Sequence, residues 1–239
     1  MQPEKYFVFC QGDICLIIWR KKLPNLHWDI LDQERQGIFQ KLYSIIGCDY
    51  YLAGGTALAL QIGHRESFDF DLFRAAPITL AVKSKIVKGL ASYKPQMLVD
   101  TSDELSLVLR QEIKVTLLNY YWEPIFPLLK TPQTVPLLSI KDLATTKAYA
   151  LGRRGNYRDY FDLYIIIKQK HASLGHIIKW SQKKYGEVFS EKMFLEQLTY
   201  LDDLKVETNL KYLAEAVLKP SALSNFFKKE IKKYLRGIQ

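Results

Sequence analysis

The sequence predicts an α+β protein, with an N-terminal lobe of strands and helices over residues 1–136 and a helical lobe over residues 137–239. Two patterns support this division. Runs that alternate apolar and polar residues, as strands do, come before Pro136. Beyond it, apolar residues recur at helical spacing to the end of the chain. Hydrophobic residues make up 48% of the sequence, which is enough to form a packed core.

The N-terminal lobe is expected to begin with a hairpin over residues 6–20, where a Gln-Gly-Asp turn joins two apolar runs. Helical spacing of apolar residues predicts a helix from Asp29 to Ile46. A short strand over 50–53 ends at a double glycine, and a helix over 57–62 follows it. Further strands are predicted over residues 68–73, 105–109 and 113–121.

In the helical lobe, Ser139 and Asp142 have the spacing of a capping box that begins a helix through Leu151. The last helical segment, over residues 226–236, is amphipathic and rich in lysine. Its basic face is first of all a solvated surface, and it also suits an RNA backbone. Breaks between helices are predicted near Gly155, Gly175, Gly186 and Pro220.

Charge and cysteine content narrow the class of protein. Lys and Arg number 34 against 25 Asp and Glu, and a net charge of +9 favours a polyanionic partner such as nucleic acid. The three cysteines lack the spacing of a zinc site, and their low, odd number suits a reducing compartment. No apolar run has the length of a membrane span or the pattern of a signal peptide. We therefore expect a soluble, cytoplasmic protein.

The double glycine, Gly54-Gly55, stands where a predicted strand leads directly into a helix. Without a Cβ, the backbone there can come close to an anion, and the helix dipole and free amides favour phosphate. Thr56 adds a hydroxyl donor at the start of the helix. Because Gly-Gly-Thr alone is a common turn, the phosphate interpretation depends on the residues that follow.

Asp69 and Asp71 follow on the next predicted strand. Residues two apart on a strand project from the same face, so the two carboxylates are expected to lie side by side. At about 6 Å they would repel by roughly 3 kcal/mol at an effective dielectric near 20. A divalent cation relieves that repulsion, and hard oxygen ligands suit Mg²⁺. Two surface acids on a solvated edge strand are the alternative, which the preceding glycine turn disfavours.

A glycine-rich strand end followed by Asp-hydrophobic-Asp resembles the signature of the polymerase-β-like nucleotidyltransferase superfamily. Within it, residues 52–60, Leu-Ala-Gly-Gly-Thr-Ala-Leu-Ala-Leu, and residues 65–72, Arg-Glu-Ser-Phe-Asp-Phe-Asp-Leu, are similar to the AbiEii/AbiGii toxin family. These are nucleotidyltransferase toxins of bacterial abortive-infection and toxin–antitoxin systems. A second block, residues 140–164, resembles the helical-lobe motif of that family, a Lys, then an Arg, then Arg/Lys-Asp-x-x-Asp-Leu.

The resemblance implies a polymerase-β-like lobe with a small mixed sheet, and Mg²⁺-dependent transfer of a nucleoside monophosphate from an NTP. In studied toxins of this group the acceptor is the 3′ end of tRNA, and the expected protein partner is an antitoxin. The residues implied to act in catalysis are the two metal ligands Asp69 and Asp71, with Lys147 as a phosphate contact and Asp159. The residues implied to bind the nucleotide are Gly54, Gly55, Thr56, Arg65 and Ser67.

Some assignments stay open at this stage. Arg65 could neutralise an aspartate of the pair or contact the triphosphate. Asp162 is expected to have a structural role, supporting Arg153 or Arg158. A lone histidine in a turn, His64, is expected to be inert.

The sequence departs from the superfamily at one position. Polymerase-β-like enzymes usually carry a third carboxylate on a following strand, where this chain has Thr116. Threonine cannot serve as a carboxylate ligand or as a base near neutral pH. Either Asp159 substitutes for it, or the protein binds nucleotide without turning it over. A binding module with this fold, and an enzyme that modifies a protein or small molecule, are therefore alternatives to a toxin that modifies RNA.

Overall fold

The computed structural model describes residues 25–110, 112–132, 134–151, 153–201, 204–206 and 211–237. The hairpin predicted over residues 6–20 lies outside this part of the chain. The strands are β1 (Tyr51–Ala53), β2 (Phe70–Arg74), β3 (Gln96–Asp100), β4 (Glu104–Leu109) and β5 (Ile113–Asn119). The helices are α1 (Gln33–Ile46), α2 (Gly54–Ile62), α3 (Leu80–Gly89), α4 (Ile140–Leu151), α5 (Tyr157–Lys168), α6 (Leu174–Tyr185), α7 (Glu191–Gln197) and α8 (Pro220–Arg236).

The five strands form one sheet in the order β1-β2-β5-β4-β3. β2 and β5 are parallel, and the other neighbouring pairs are antiparallel, so the sheet is mixed as expected. One face packs against α1, where Phe39 stacks on Phe70 with ring centroids 5.7 Å apart. The other face carries Asp71 and Thr116, which therefore lie on the side of the sheet opposite this aromatic core.

The four strands predicted within the described residues are confirmed, each with its ends within two residues of the observed ones. Two elements were missed. β3 is exposed along most of its length, and α3 has one buried residue, Ile86, so neither has a strong apolar period. The break predicted near Gly175 falls just before this residue, between the end of α5 at Lys168 and the start of α6 at Leu174. This glycine lies inside α6, which begins after Ser173, whose side chain accepts the amide hydrogen of His176 at 3.2 Å.

The predicted start of α4 is confirmed, with Ser139 as its N-cap. The Asp142 amide donates to Ser139 Oγ at 3.1 Å, and the hydroxyl of Ser139 donates back to the Asp142 carboxylate at 3.1 Å. Just before it, Leu138 donates its amide to the carbonyl of Leu52 at 2.8 Å, and the Leu52 amide donates to Pro136 at 2.7 Å. The chain therefore runs along β1 before α4 begins. The division into domains of residues 1–136 and 137–239 stays a prediction.

None of the helices in the described segments combines the length and the apolar character that a membrane span needs.

Candidate active site

The start of α2 lies against the carboxylate of Asp71. Gly54 has φ +65°, a conformation that side chains other than glycine rarely adopt. An ideal Cβ on Gly54 would overlap the Asp71 carboxylate oxygen and would stand 3.0 Å from its Cγ. The residue before the helix, Ala53, offers no side chain to cap the first-turn amides. Glycine is therefore needed at position 54 for two reasons. Its φ is positive, and the Asp71 carboxylate occupies the space that a Cβ would fill.

Gly55 is crowded from the other side. A Cβ there would collide with the guanidinium of Arg65 and would lie 3.3 Å from Ser67 Oγ. Thr56 Oγ1 lies 2.8 Å from Ser67 Oγ and also donates to the carbonyl of Asp69. Both hydroxyls are buried and hold α2 against the segment that leads into β2. A nucleotide-binding role for these residues stays a prediction, and the backbone amides of α2 are better placed for it than the side chains.

Asp69 and Asp71 stand on either side of Phe70, which is fully buried. The backbone N–H of Lys114 on β5 donates to Asp69 Oδ1 at 3.2 Å. Burial, and then the neighbouring carboxylate of Asp69, raise the pKa of Asp71, against the opposing effect of nearby cations. The two carboxylates are thus close enough to repel, as the sequence predicted.

The pair fits a divalent cation. A positive ion would remove the repulsion that raises the pKa of Asp71, and the close glycine leaves its carboxylate oxygens uncovered by any Cβ from α2. Among the residues that the structure describes, no group of three or more His, Cys, Asp or Glu could hold a metal. The fit is therefore to an ion that takes two protein carboxylates and completes its ligands with substrate and water, as Mg²⁺ does.

Thr116 occupies the position beside the acidic pair. It is the direct partner of Asp71 across β2 and β5, and Ser106 is its partner across β5 and β4. The two hydroxyls are 3.3 Å apart, and Ser106 Oγ donates to Glu104 Oε1 at 2.6 Å. The expected position of a third carboxylate is thus held by a hydroxyl, with Glu104 linked to it through Ser106. Glu104 was not predicted as a site residue, although its alternation with Ser106 on β4 places both on one face.

Asp162 is the centre of a buried charge network. Arg65 donates to its two oxygens from Nε at 2.8 Å and Nη2 at 3.0 Å, and Lys147 Nζ lies 2.7 Å from Oδ2. His64 Nε2 lies 2.7 Å from Oδ1. Burial alone would raise the pKa of Asp162, but Arg65 and Lys147, together with the hydrogen bond to His64, hold that pKa well below its usual value. The expected structural role of Asp162 agrees with this placement, while its proposed partner Arg153 stacks on Tyr149 instead.

His64 was expected to be inert, and the structure adds that it has a structural contact. Its side chain is fully buried and contacts Asp162, and the ring stacks on Phe161 with centroids 6.1 Å apart. Burial lowers the pKa of His64 despite the neighbouring carboxylate, so the imidazole is neutral at neutral pH and donates from Nε2. His64 is a structural member of the charge network.

Arg65 also differs from its expected place. Its side chain is 2% exposed and its guanidinium is committed to Asp162 and to the carbonyl of Glu66. The pairing with either member of the acidic pair, considered from the sequence, is replaced by the pairing with Asp162. This burial favours support of the Gly55 backbone over direct contact with a nucleotide.

Lys147 and Asp159 meet at the edge of the network. Lys147 Nζ lies 2.6 Å from Asp159 Oδ1, and its side chain is 7% exposed. The other oxygen of Asp159 accepts from Arg154 Nε at 3.1 Å, and the Arg154 side chain is 65% exposed. Burial would lower the pKa of Lys147, but Asp159 and Asp162 raise it, so the amine stays charged. The resemblance therefore identified a lysine near the site, and it missed the arginine that faces solvent.

Comparison with known proteins identifies the family of this chain. A family model described as "Nucleotidyl transferase AbiEii toxin, Type IV TA system" matches residues 42–203, which include both the Gly-Gly turn and the charge network. An uncharacterized protein of Aquifex aeolicus is 32% identical over 218 residues, which make up 87% of this chain and 98% of that protein.

Two solved structures share the architecture. MenT4, a nucleotidyltransferase toxin from Mycobacterium tuberculosis, superposes with a TM-score of 0.53 at 13% identity, over 82% of this chain and 80% of that one. JHP933 from Helicobacter pylori has a TM-score of 0.51 at 17% identity, over 89% and 96% of the two chains. At these identities the likeness concerns the fold alone, and it confirms the polymerase-β-like nucleotidyltransferase fold.

Proposed function

Because this chain belongs to the AbiEii family of nucleotidyltransferase toxins, we propose that it transfers a nucleoside monophosphate from an NTP to the 3′ end of a tRNA. The observation that carries this proposal is the contact of Asp71 with Gly54. It brings a metal-binding carboxylate to the start of a helix whose amides suit phosphate. A metal ligand and a phosphate cradle therefore share one point, which is what nucleotidyl transfer requires.

Asp69 and Asp71 are the residues that would hold the divalent cation, Mg²⁺ by its ligand preference. When bound, the cation supplies neutralisation of the triphosphate and polarisation of the reacting phosphate. The protein positions the two carboxylates through backbone contacts. Thr56 holds the Asp69 carbonyl, the Lys114 amide holds the Asp69 carboxylate, and Gly54 lets Asp71 approach α2.

Lys147 and Asp159 support the site from the helical part of the chain. Lys147 is buried between two carboxylates, so its charge acts on Asp71 without a contact between them being required. Asp159 accepts hydrogen bonds from Lys147 and from Arg154. We assign Asp159 to orienting these two cations, since service as a base would compete with both ion pairs.

An RNA acceptor is supported by charge. The net charge is +9, and Lys228, Lys232 and Arg236 recur every four residues along α8. Together with Thr199 they line an open depression of about 300 Å³. Spaced cations of this kind suit a phosphodiester backbone. The antitoxin partner is inferred from membership of the toxin family alone.

The experiment that tests the proposal is incubation of the protein with each radiolabelled NTP, Mg²⁺ and total cellular RNA or protein, followed by gel separation. We expect label on tRNA, and its loss in Asp69→Ala and in Asp71→Ala. Asp100→Ala is the matched control, because this exposed aspartate lies on the far edge strand β3. Undiminished transfer in both site variants would overturn the proposal.

The same experiment separates the alternatives. Label on a protein or a small molecule would replace RNA as the acceptor class. NTP binding without transfer to any acceptor would favour a nucleotide-binding module. This alternative arises because Thr116 stands where related enzymes usually carry a third carboxylate.

A further inference from the structure

The cations expected from the sequence to meet phosphate are already used inside the protein. Arg65 and Lys147 have side chains that are 2% and 7% exposed, and their charges balance those of Asp162 and Asp159. Drawing either cation away from this arrangement would deprive a buried carboxylate of one of its cationic partners, which is costly. The side chains that contact an NTP therefore have to be sought among cations that are less buried than these two.

Lys114 is the first of these. It precedes Thr116 by two residues on β5, so both side chains project from the face of the sheet that carries Asp71. Its own backbone N–H is bound to Asp69 Oδ1, which fixes the strand at this point. Within the described segments, its amine forms no ion pair with a carboxylate.

Arg154 is the second, in the loop between α4 and α5. It contacts Asp159 through Nε alone, and its side chain is 65% exposed. The terminal nitrogens of its guanidinium make no hydrogen bond with any residue in the described part of the chain. The guanidinium is planar, and its two terminal nitrogens can donate together to two oxygens of one phosphate.

The two cations approach the acidic pair from different sides. Lys114 comes from the sheet, where its backbone N–H binds Asp69. Arg154 comes from the helices and is joined through Asp159, Lys147 and Asp162 to Arg65, which lies against Gly55 at the start of α2. Once a divalent cation neutralises Asp69 and Asp71, Lys114 has no counter-charge at this point, and Arg154 shares the single carboxylate of Asp159 with Lys147. A polyanion at the same place would balance them.

We propose that Lys114 and Arg154 form a clamp that binds the triphosphate of the NTP, one side chain from the sheet and one from the α4–α5 loop. The proposal rests on the proposed function, since it names side chains for the same nucleotide. It gives the role of phosphate contact, which the sequence suggested for Lys147 and Arg65, to two other residues. Lys147 and Arg65 instead stabilise the fold through their buried ion pairs.

The test is equilibrium binding of Mg²⁺ tripolyphosphate and of Mg²⁺ NTP, measured by calorimetry without acceptor. We expect Lys114→Gln and Arg154→Gln each to raise the Kd of both ligands about tenfold or more, the usual effect of losing a hydrogen bond to a charged group. Arg154→Lys should recover part of the loss. Arg153→Gln, an exposed neighbour that stacks on Tyr149, and Lys88→Gln on α3 are the matched controls.

Unchanged tripolyphosphate binding in either clamp variant would overturn the clamp, as would a wild-type protein that does not bind tripolyphosphate. Thermal unfolding of each variant will show whether it is folded. Because the Arg154 side chain is largely exposed, we expect its replacement to leave the fold intact. Transfer to RNA with an unaltered KM for NTP in both variants would remove the clamp and leave the proposed function intact. Clamp-dependent binding of tripolyphosphate without transfer to any acceptor would support the clamp and overturn the proposed function.

Discussion

Asp71 lies directly against Gly54, so closely that a Cβ on the glycine would overlap its carboxylate. This contact joins the end of β1, the start of α2 and the middle of β2 at one point. Since Thr116 is the partner of Asp71 on the next strand, the same point also defines the position of the missing third carboxylate. The predictions below follow from this arrangement and from the charge network beneath it.

Gly54→Ala should abolish metal-dependent transfer and destabilise the protein. The matched control is Gly47→Ala, because Gly47 also has a positive φ, +57°, but has no heavy atom within 4 Å of an added Cβ. Both variants incur backbone strain on the order of 1–3 kcal/mol, and only Gly54→Ala displaces the Asp71 carboxylate. Urea unfolding and transfer assays on the pair would measure this. Equal loss of activity in both would contradict the assigned contact.

Asp71→Asn should stabilise the protein at neutral pH when no divalent cation is present. The pKa of Asp71 is raised in the folded state, so between its unfolded value near 3.8 and the folded value the native state holds the extra proton. Wild-type stability should therefore fall as pH rises through that window, and the variant should lack this fall. Thermal unfolding from pH 3.5 to 8, with EDTA, would show it.

Adding Mg²⁺ provides the control for that measurement. Wild-type protein should gain thermal stability at neutral pH, and Asp71→Asn should gain little. A gain of the same size in both proteins would mean that the cation binds elsewhere.

Asp162→Asn should destabilise the protein by roughly 3–5 kcal/mol, because Arg65 and Lys147 would lose a buried counter-charge. Asp100→Asn, which breaks the exposed pair with Lys83, should cost about 1 kcal/mol or less. Denaturant unfolding at pH 7 measures both. Since the pKa of Asp162 is lowered, its contribution is present above pH 3.8 and is lost as pH falls below that value.

Thr116→Asp should increase the response to Mg²⁺. The new carboxylate would stand directly opposite Asp71, where burial and repulsion destabilise it without a cation and metal binding stabilises it. We expect a lower melting temperature in EDTA than wild type, and a larger rise on adding Mg²⁺. Thr116→Asn keeps the size without the charge and serves as the control. The same Mg²⁺ response in both variants would exclude this position from the metal site.

Much of the fold could be predicted because the relevant signals are local. The period of two in β2 and β5, and the helical period in α1, depend on which neighbours along the chain are apolar. Exposed elements such as β3 and α3 were missed for the same reason, since an element that buries little has little apolar period to detect.

The Gly-Gly turn, the acidic pair and the family resemblance can be identified from local sequence, because each is a short run of residues with its own geometry. Which cations are buried in ion pairs and which stay exposed depends on the packing of distant segments. Arg65 pairs with Asp162, 97 residues away, and that partnership buries a charge that looked available in the sequence. Arg153 and Arg154 are neighbours in sequence, yet one stacks on Tyr149 and the other pairs with Asp159 beside the acidic pair. The role of a charged side chain depends on its burial and its counter-charge, and both are set by residues distant in the chain.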